Sequence, residues 1–341
     1  MSTIAVLGGY GTFGARVSRE LARRGHRVIV GGRDLQRGFA LAQALPGGPH
    51  EVVRVDLGDD ESCRRAVRGA SVVVVCGGPF SAIGGGPARA ALAVGAHYVD
   101  IADDVGYIRR LRALDGDFAR LGRCAAFGCS SLPAISSALA LSLLDDGARP
   151  SAARVTLFIG NDNPKGGASV RAMVERLRGG FRDGARIPFP APIGTRTAYT
   201  LPAPEEDLFP TLLGVQSVAV RVGFELPVVN AALHLLARIP LPWGRRTAAV
   251  LTRLGSLAPR MGTSSGAVLV ELTWADGRRR GRALVSDEDG QRMAALPCAL
   301  AAHVLATAPP AVSGVRPPTD VVAPAALLAE LEAGGMRVVD A

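Results

Sequence analysis

The first 33 residues constrain the fold of this chain more than any other segment. A short apolar run at residues 4–7 is followed by residues 9–14, whose glycines have the spacing G-x-G-x-x-G. Residues 15–24 then show helical periodicity, and residues 27–33 predict a second strand. A strand, a glycine-rich turn, a helix and a strand in this order form the dinucleotide-binding fingerprint of a βαβ unit.

Each glycine of the motif has its own predicted role. Gly9 permits the tight turn, Gly11 lets the backbone approach a pyrophosphate, and Gly14 lets the helix pack close to the strand. The N–H groups at the start of that helix have no partner within it, and they offer a partial positive charge to phosphates. The segment therefore predicts a dinucleotide site at the helix N-terminus.

The end of the second strand indicates which dinucleotide is bound. An acidic residue there would accept a hydrogen bond from the ribose 2′-hydroxyl and favour NAD, but the sequence has Gly31, Gly32 and Arg33, with no acid before Asp34. Arginine can pair with a 2′-phosphate through two hydrogen bonds and stack on adenine. We therefore predict NADP as the cofactor; the alternative is a solvated arginine that opens the next helix.

Composition and cysteine usage narrow the class of protein. A chain of 341 residues with 48% apolar residues is long enough for two domains that share one active cleft. Because the first three residues lead directly into a strand, we expect no signal peptide. The cysteines are Cys63, Cys76, Cys124, Cys129 and Cys298. They form no C-x-x-C pair and lie near no histidine cluster, so we expect no metal, no disulfide framework and a cytoplasmic location.

The positive charge does not predict a nucleic-acid partner. The formal net charge is +9, and Lys165 is the only lysine among 39 basic residues. The arginines are scattered along the chain, whereas nucleic-acid binding needs a focused basic face. A small-molecule substrate and an anionic cofactor are sufficient partners.

Strands and helices continue to alternate after Arg33. Further strands are predicted at residues 51–55, 71–75, 98–101 and 124–127. Helices are predicted at residues 34–44, 60–67, 86–94 and 107–121. This alternation indicates an α/β fold with an N-terminal Rossmann domain, a doubly wound parallel sheet.

The pattern changes near Pro133, where we predict a second, mixed α/β domain. Its sheet is expected to contain residues 154–159, 268–274 and 282–286, the last two joined by a hairpin turn, while residues 182–210 are predicted to be rich in loops. Helices are predicted at residues 291–307 and 324–334. The predicted domains are residues 1–132 for NADP binding, 133–300 for substrate binding and dimerisation, and 301–341 as a segment returning toward the first domain.

Residues 226–241 form the most apolar stretch. His234 and Arg238 interrupt it and Pro240 ends it, so it is too short and too broken to span a bilayer. A buried helix, a dimer face and a lid over a hydrophobic substrate all remain open. Contact with a membrane surface through the neighbouring residues 245–246, both arginines, is less favoured.

Four motifs resemble one known family. They are residues 6–14, residues 31–34, the Gly-Pro-Phe turn within residues 74–80, and residues 95–100, which end in Tyr-Val-Asp. In these motifs the chain resembles the saccharopine dehydrogenase-like NADP-binding oxidoreductases. The resemblance covers residues 1–135 well and later residues less closely. It implies a Rossmann domain, an inserted α/β domain and a homodimer.

The resemblance also implies roles for individual residues. The pyrophosphate would be held by Gly9, Tyr10, Gly11, Thr12, Phe13 and Gly14. Gly32, Arg33 and Asp34 would surround the 2′-phosphate, and Asp56 and Leu57 would lie at the edge of the adenine. Gly77, Gly78, Pro79 and Phe80 would lie against the ribose and nicotinamide. Asp103 would lie near the reactive carbon, because ligands bind at the carboxyl ends of the strands.

The sequence contains no clear catalytic group. No tyrosine is followed by a lysine four residues later, so the Tyr-x-x-x-Lys pair is absent. Lys165 in a polar loop could donate a proton, and so could Asp103, although Asp103 or Asp104 could instead cap the next helix. Cys129 could be a nucleophile at a helix N-terminus, or a small buried thiol. We also expect the loop at residues 161–167 to border the substrate site, with Asn161 or Lys165 pointing into it.

Three functions follow from these features. The favoured function is NADP-dependent reduction of a C=N or C=O bond in a small biosynthetic intermediate. Reduction of C=C in a hydrophobic lipid or polyketide intermediate is the second, because of the apolar segment 226–241. The third is a non-catalytic NADP-binding sensor, because a catalytic signature is missing.

Overall fold

The structure of the protein, a computed structural model, describes residues 1–145, 147, 149–164, 166–177, 180–239, 247, 249–250, 261–308 and 311–341. The chain divides into two compact units. The first contains residues 1–130 and 294–323, and the second contains residues 131–293 and 324–341. Each unit is built on one seven-stranded sheet.

The strands of the described residues follow in chain order. They are β1 (Thr3–Leu7), β2 (Arg27–Gly32), β3 (Glu51–Arg54), β4 (Val72–Val75), β5 (His97–Asp100), β6 (Cys124–Ala126), β7 (Ala152–Ile159), β8 (Arg182–Phe189), β9 (Gly194–Thr200), β10 (Ser217–Phe224), β11 (Gly266–Thr273), β12 (Arg279–Ser286), β13 (Gly314–Arg316) and β14 (Arg337–Asp340).

The helices of the described residues are α1 (Gly14–Arg23), α2 (Leu35–Ala44), α3 (Asp60–Ala66), α4 (Gly86–Ala93), α5 (Val105–Arg112), α6 (Asp115–Arg120), α7 (Ser136–Ser142), α8 (Gly167–Arg176), α9 (Glu205–Leu213), α10 (Pro227–Leu236), α11 (Arg292–Thr307), α12 (Pro318–Val321) and α13 (Pro324–Ala333). Short helical turns also cover Phe80–Ala82 and Ser131–Ile135.

The first unit contains the predicted doubly wound parallel sheet. Its strand order is β13-β6-β5-β4-β1-β2-β3, and every pair in it is parallel. The last residue of β1, Leu7, pairs with Gly31 of β2 on one side and with Val75 of β4 on the other. The strand order therefore reverses beside β1, which is where α/β sheets of this kind bind ligands.

The core of this sheet follows directly from the sequence. All four residues of β4 are valines with no exposed surface, as expected for β-branched residues in a parallel strand covered on both faces. In α1, Val17 and Leu21 are one turn apart and are also fully buried. The apolar periodicity of the first 33 residues thus places the helix against the sheet.

One predicted helix is two helices in the structure. Residues 107–121 were expected to form a single helix, but α5 ends at Arg112 and α6 begins at Asp115. The new start places Asp115 in the first turn of α6, where acidic side chains are favoured. Its carboxylate also accepts a hydrogen bond from Val315 N (2.8 Å), so it holds the edge strand β13 in place.

The second unit contains a mixed sheet in the order β14-β12-β11-β7-β10-β9-β8. Only β7 and β10 pair in parallel; the other pairs are antiparallel. The three predicted strands are all in this sheet, as β7, β11 and β12. The predicted hairpin joins β11 to β12, and Gly277 in its turn has a φ of +86°, which glycine adopts without strain.

The prediction of loops at residues 182–210 was wrong. The segment forms β8, β9 and the first part of α9. In β8, Ile187 and Phe189 are buried while Pro188 between them is exposed, so the strand has a period of two that the prolines concealed. Pro188 is tolerated because β8 lies at the edge of the sheet, where a missing N–H breaks no central ladder.

The C-terminal segment also differs from the prediction. Residues 301–323 lie in the first unit as expected, and β13 extends its sheet, but residues 324–341 lie in the second unit. There β14 pairs with β12, and Arg282 Nε donates to Asp340 Oδ1 (2.8 Å). Arginine opposite aspartate on neighbouring strands favours this pairing. The first unit also includes residues 294–300, which were assigned to the second domain.

The most apolar segment forms the exposed helix α10. Val228 is 70% exposed and Leu235 61%, which contradicts the first of the three alternatives, a buried helix. The opposite side is anchored by Asn230, whose Oδ1 accepts a hydrogen bond from Phe224 N (2.9 Å). Pro240 and residues 245–246 lie outside the described residues. Among the described helices, none is long and apolar enough to cross a membrane.

We predict that Glu225 stabilises the second unit. Glu225 Oε2 accepts hydrogen bonds from Asn161 N and Thr263 N, each 2.8 Å, so one carboxylate joins two loops. Glu225→Ala leaves two backbone donors without this acceptor and should reduce the free energy of unfolding by about 2 kcal/mol, measured by urea denaturation.

Glu271→Ala is the matched control. Its carboxylate pairs with the partly exposed Arg154 (3.1 Å), an ion pair that contributes less than about 1 kcal/mol. Equal losses in the two variants would contradict the role of Glu225.

Candidate functional site

The predicted glycine loop leaves β1 between the ends of its two neighbouring strands. Gly8 N and Gly9 N both donate to Gly31 O of β2, at 2.8 and 3.0 Å. On the other side, Gly77 N after β4 donates to Leu7 O (3.1 Å). The loop and the turn after β4, which were predicted to bind one cofactor, are therefore brought together by backbone hydrogen bonds.

Close contacts explain why this loop requires glycines. A Cβ on Gly14 would lie 2.1 Å from Gly8 O, and one on Gly9 would lie 2.7 Å from Val6 O. The close contacts of Gly14 are therefore with Gly8 and Gly9, in the loop that follows β1. A Cβ on Gly11 would meet only Gly8 O, at 3.2 Å, so its outer side is open for a ligand.

The role of Gly8, which precedes the fingerprint, is not apparent from the glycine spacing. Its φ is +81°, and a Cβ there would lie 2.5 Å from Gly77 N. Gly8 therefore allows the turn after β4 to approach the loop. The sequence shows that Gly8 precedes Gly9, but only the pairing of β1 with β4 shows that Gly8 lies against the turn after β4.

Two N–H groups at the start of α1 already have acceptors, contrary to the prediction: Ala15 N donates to Gly11 O (2.9 Å) and Arg16 N donates to Phe13 O (3.0 Å). Phe13 precedes the helix without a side-chain cap, and the first turn contains no acidic residue. Thr12 O is occupied by Arg16 NH1 (2.7 Å), which holds the loop in shape. The helix N-terminus therefore retains its positive electrostatic potential toward the loop.

At the end of β2 a tyrosine side chain fills the space beside the backbone. A Cβ on Gly32 would lie 2.1 Å from Tyr10 Cε1. Asp34 N donates to the Tyr10 hydroxyl (2.7 Å), and the Arg37 guanidinium lies 5.0 Å from the centre of the ring. The Asp34 carboxylate accepts from Arg37 N (3.2 Å) and so caps α2.

A cavity of about 430 Å³ opens at the carboxyl ends of β2 and β3. It is lined by Arg33, Arg54, Val55, Asp56, Asp59, Ser62 and Arg65. The predicted residues Arg33 and Asp56 thus share one cavity. Among the described residues, neither Arg33 nor Arg54 has a hydrogen-bonding or ion-pair partner. Two guanidinium groups without a counter-ion favour an anion in this cavity.

Both acidic side chains that line this cavity already accept hydrogen bonds from backbone N–H groups. Asp56 Oδ1 accepts from Gly58 N (3.0 Å), and Asp59 Oδ1 accepts from Glu61 N at the start of α3 (3.0 Å). Arg54 is a lining residue that no sequence motif indicates. Its position near the end of the predicted strand at residues 51–55 was the available signal, but which strand lies beside β2 is known only from the sheet order.

The turn after β4 has a buried and an exposed part. The Phe80 ring is 7% exposed and packs edge-to-face on Tyr107, with 5.0 Å between ring centres. The Leu57 side chain packs against this turn, since a Cβ on Gly77 would lie 2.5 Å from Leu57 Cδ1. Gly78 is therefore the exposed residue of the turn, Gly77 is partly covered, and Phe80 packs beneath them.

A buried carboxyl group lies at the end of β5. Asp100 has no exposed surface, and its Oδ1 accepts from Gly128 N (2.7 Å) and Ala102 N (2.9 Å). Burial raises the pKa of Asp100 to about 6, although both hydrogen bonds oppose this rise. Beside it the hydroxyl groups of Tyr98 and Tyr107 share a hydrogen bond. This group joins β5 to the segment that follows β6.

The weak catalytic candidates have different environments. Asp104 caps α5 by accepting from Tyr107 N (2.6 Å), while Asp103 is partly exposed just after β5. Cys129 is fully buried, and burial, with the nearby Asp100, raises the pKa of its thiol well above the usual range. A nucleophilic cysteine needs the opposite shift, so the structure contradicts that role.

The loop after β7 is held by neighbouring loops. Asn161 is 7% exposed, and its Nδ2 donates to Met261 O (2.7 Å). This amide links two loops, which contradicts its predicted orientation into a substrate site. Lys165 lies outside the described residues. No group of histidine, cysteine, aspartate or glutamate side chains in the described ranges could hold a metal ion.

We predict that Asp100 makes stability depend on pH. The pKa rises from 3.8 to about 6 on folding, so the folded state binds this proton more tightly. The stabilisation from protonation is present at low pH and is lost as the pH rises through 6. Between pH 5 and pH 7 the stability of the wild type should fall by about 1 kcal/mol relative to Asp100→Asn.

Urea denaturation of both proteins at several pH values measures this difference. The comparison cancels the titration of all other groups, because the asparagine variant retains them. A stability difference that does not change with pH would contradict the assignment.

Comparison with known proteins identifies the nucleotide-binding part. Residues 4–122 match the family model described as "Saccharopine dehydrogenase NADP binding domain". The resemblance predicted from the four motifs is therefore confirmed over these residues. The sequence matches no curated protein.

Solved structures show the fold of the remainder. The apo histidine-tagged saccharopine dehydrogenase (L-Glu forming) from Saccharomyces cerevisiae is similar over 100% of both chains, with 14% identity and a TM-score of 0.65. A short-chain dehydrogenase/reductase from Serratia marcescens covers 37% of this chain and 72% of its own, with 16% identity and a TM-score of 0.32. The full-length similarity confirms the α/β fold with a Rossmann unit and a second mixed sheet.

Proposed function

We propose that this chain is an NADP-dependent oxidoreductase that reduces a C=N or C=O bond of a small biosynthetic intermediate. The observation that carries the proposal is the cavity with Arg33 and Arg54, which have no partner in the described part of the chain, together with the glycine loop and the N-terminus of α1. The match of residues 4–122 to an NADP-binding domain supports the same cofactor.

The residues present fit this cofactor at three places. The open side of Gly11 and the uncapped start of α1 suit a pyrophosphate. Arg33 and Arg54 suit a 2′-phosphate, because a guanidinium group pairs with phosphate through two hydrogen bonds. Gly78, which is exposed, and Gly77, which is partly covered, suit the ribose and nicotinamide end. NADPH supplies a hydride when bound.

The protein's own contribution to the reaction is binding and positioning. The loop N–H groups would hold the pyrophosphate and the arginines would hold the adenosine end, at the carboxyl ends of the strands where ligands of such sheets bind. Among the described residues, Asp103, which follows the carboxyl end of β5, is the proposed proton donor. Lys165 is the second candidate. Proton donation to the developing amine or alkoxide is the remaining chemical requirement.

Reduction of a C=C bond in a hydrophobic intermediate is the second candidate function. The exposed side chains of Val228 and Leu235 on α10 favour it, because an apolar substrate would bury such a surface. NADPH oxidation with cyclic imines, aldehydes and enoyl thioesters distinguishes the two. Turnover of none of them by a protein that binds NADPH would favour the non-catalytic sensor.

We predict that Arg33 discriminates NADPH from NADH. Arg33→Ala removes one charged partner of the 2′-phosphate, which costs about 1.5–3 kcal/mol, or about ten- to hundredfold in NADPH affinity. NADH affinity should be unchanged. Titration of both nucleotides against the variant, followed by fluorescence, measures this. Equal losses for both, or none for either, would contradict the assignment.

We predict that Arg54 is a second partner of the same phosphate. Arg54→Gln should weaken binding of adenosine 2′,5′-bisphosphate about tenfold and leave 5′-AMP binding unchanged, because only the first ligand has the 2′-phosphate. Arg64→Gln is the control, since Arg64 is exposed on α3 and already pairs with Glu61 (2.6 Å). Similar effects of both variants would indicate general charge rather than a phosphate contact.

A further inference from the structure

The side chain of Tyr10 occupies the position that an acidic side chain would need at the end of β2. A Cβ on Gly32 would lie 2.1 Å from Tyr10 Cε1, 2.5 Å from its Cζ and 2.6 Å from its hydroxyl oxygen. Real Cβ atoms do not approach other atoms this closely. With Tyr10 in this place, residue 32 can only be glycine.

The ring is held on two sides. Its hydroxyl oxygen accepts the backbone N–H of Asp34 (2.7 Å), and the Arg37 guanidinium lies over its face at 5.0 Å from the ring centre. The aromatic ring is rigid, so a side chain at position 32 would have to move the whole ring and not just its end. Moving the ring would break the hydrogen bond and the cation–π contact together.

This arrangement affects the two positions at the end of β2 from which a carboxylate could accept a hydrogen bond from a ribose 2′-hydroxyl. An acid at position 32, the last residue of β2, is excluded by the ring. The next acid, Asp34, directs its carboxylate to Arg37 N at the start of α2. The adenosine end of the site therefore faces the guanidinium groups of Arg33 and Arg54 without a carboxylate from β2.

We propose that Tyr10 is a specificity-determining residue, which excludes an acidic residue at position 32 and so commits the site to a nucleotide with a 2′-phosphate. This inference rests on the proposed function. It predicts that positions 10 and 32 are coupled: a change to NADH preference requires substitution of both residues.

Four variants test this coupling: Gly32→Asp, Tyr10→Ala, and the double variants Tyr10→Ala/Gly32→Asp and Tyr10→Phe/Gly32→Asp. Each is titrated with NADPH and NADH, and its thermal unfolding is measured. Gly32→Asp should unfold at a lower temperature than wild type and gain no NADH affinity. Tyr10→Ala/Gly32→Asp should regain stability and bind NADH about tenfold more tightly than Tyr10→Ala, the change expected from one hydrogen bond to a charged acceptor.

The phenylalanine double variant is the matched control. It retains the ring and lacks only the hydroxyl, so it should behave like Gly32→Asp and not like the alanine double variant. If Gly32→Asp does not fold, the comparison of Tyr10→Ala with Tyr10→Ala/Gly32→Asp still decides the question, because both lack the ring.

Two results would overturn the inference while the proposed function stands. One is a Gly32→Asp protein as stable as wild type with the NADH affinity of the alanine double variant. The other is an alanine double variant that binds NADH no better than Tyr10→Ala. A wild-type protein that binds neither nucleotide would overturn the proposed function, and the specificity assignment with it.

Discussion

The candidate site depends on the close packing of the loop that follows β1. Gly14 approaches Gly8 so closely that a single methyl group on it would overlap Gly8 O. The same loop is held by Gly31 O of β2 and lies against Gly77 after β4. Three segments that are far apart in sequence thus meet within a few ångströms. Without this contact, neither the helix N-terminus nor the turn after β4 would face the same ligand.

The chemistry of the adenosine end is set by which acids remain available. Asp34, Asp56 and Asp59 all lie near this end, and each accepts a hydrogen bond from a backbone N–H. Helix caps and turns therefore use the nearby carboxylates, while Arg33 and Arg54 keep no partner among the described residues. Local backbone requirements and cofactor choice are linked in this way, because a carboxylate that caps a helix is not directed at a ribose.

Two buried polar groups of the first unit, the thiol of Cys129 and the carboxyl group of Asp100, are structural in the fold. Cys129 follows a strand as a nucleophile would, yet its thiol is fully buried and its pKa is raised. Asp100 ends the Tyr-Val-Asp motif, and its carboxyl group joins β5 to Gly128 and Ala102. Burial decides both outcomes, because it disfavours the charged forms that catalysis by these groups would require.

The sequence by itself determined the Rossmann unit, because strand, turn and helix signals are local. The valines of β4, the Asp34 cap and the glycine spacing each report on neighbours only a few residues away. The same local signals located the hairpin of the second sheet. They failed at β8, where Pro188 resembles a loop residue and is tolerated only because the strand is at an edge.

Contacts between distant residues were decided only by the tertiary structure. Arg54 joins Arg33 because β3 pairs with β2, and β14 joins the second sheet because it pairs with β12. Tyr10 covers Gly32 because the loop after β1 folds over the end of β2. Sequence spacing indicates whether a segment forms a helix or a strand. Which elements lie next to each other is determined by packing and backbone pairing across the whole sheet. The fingerprint therefore predicted a dinucleotide, and the packing around it determined which side chains remain free to select one.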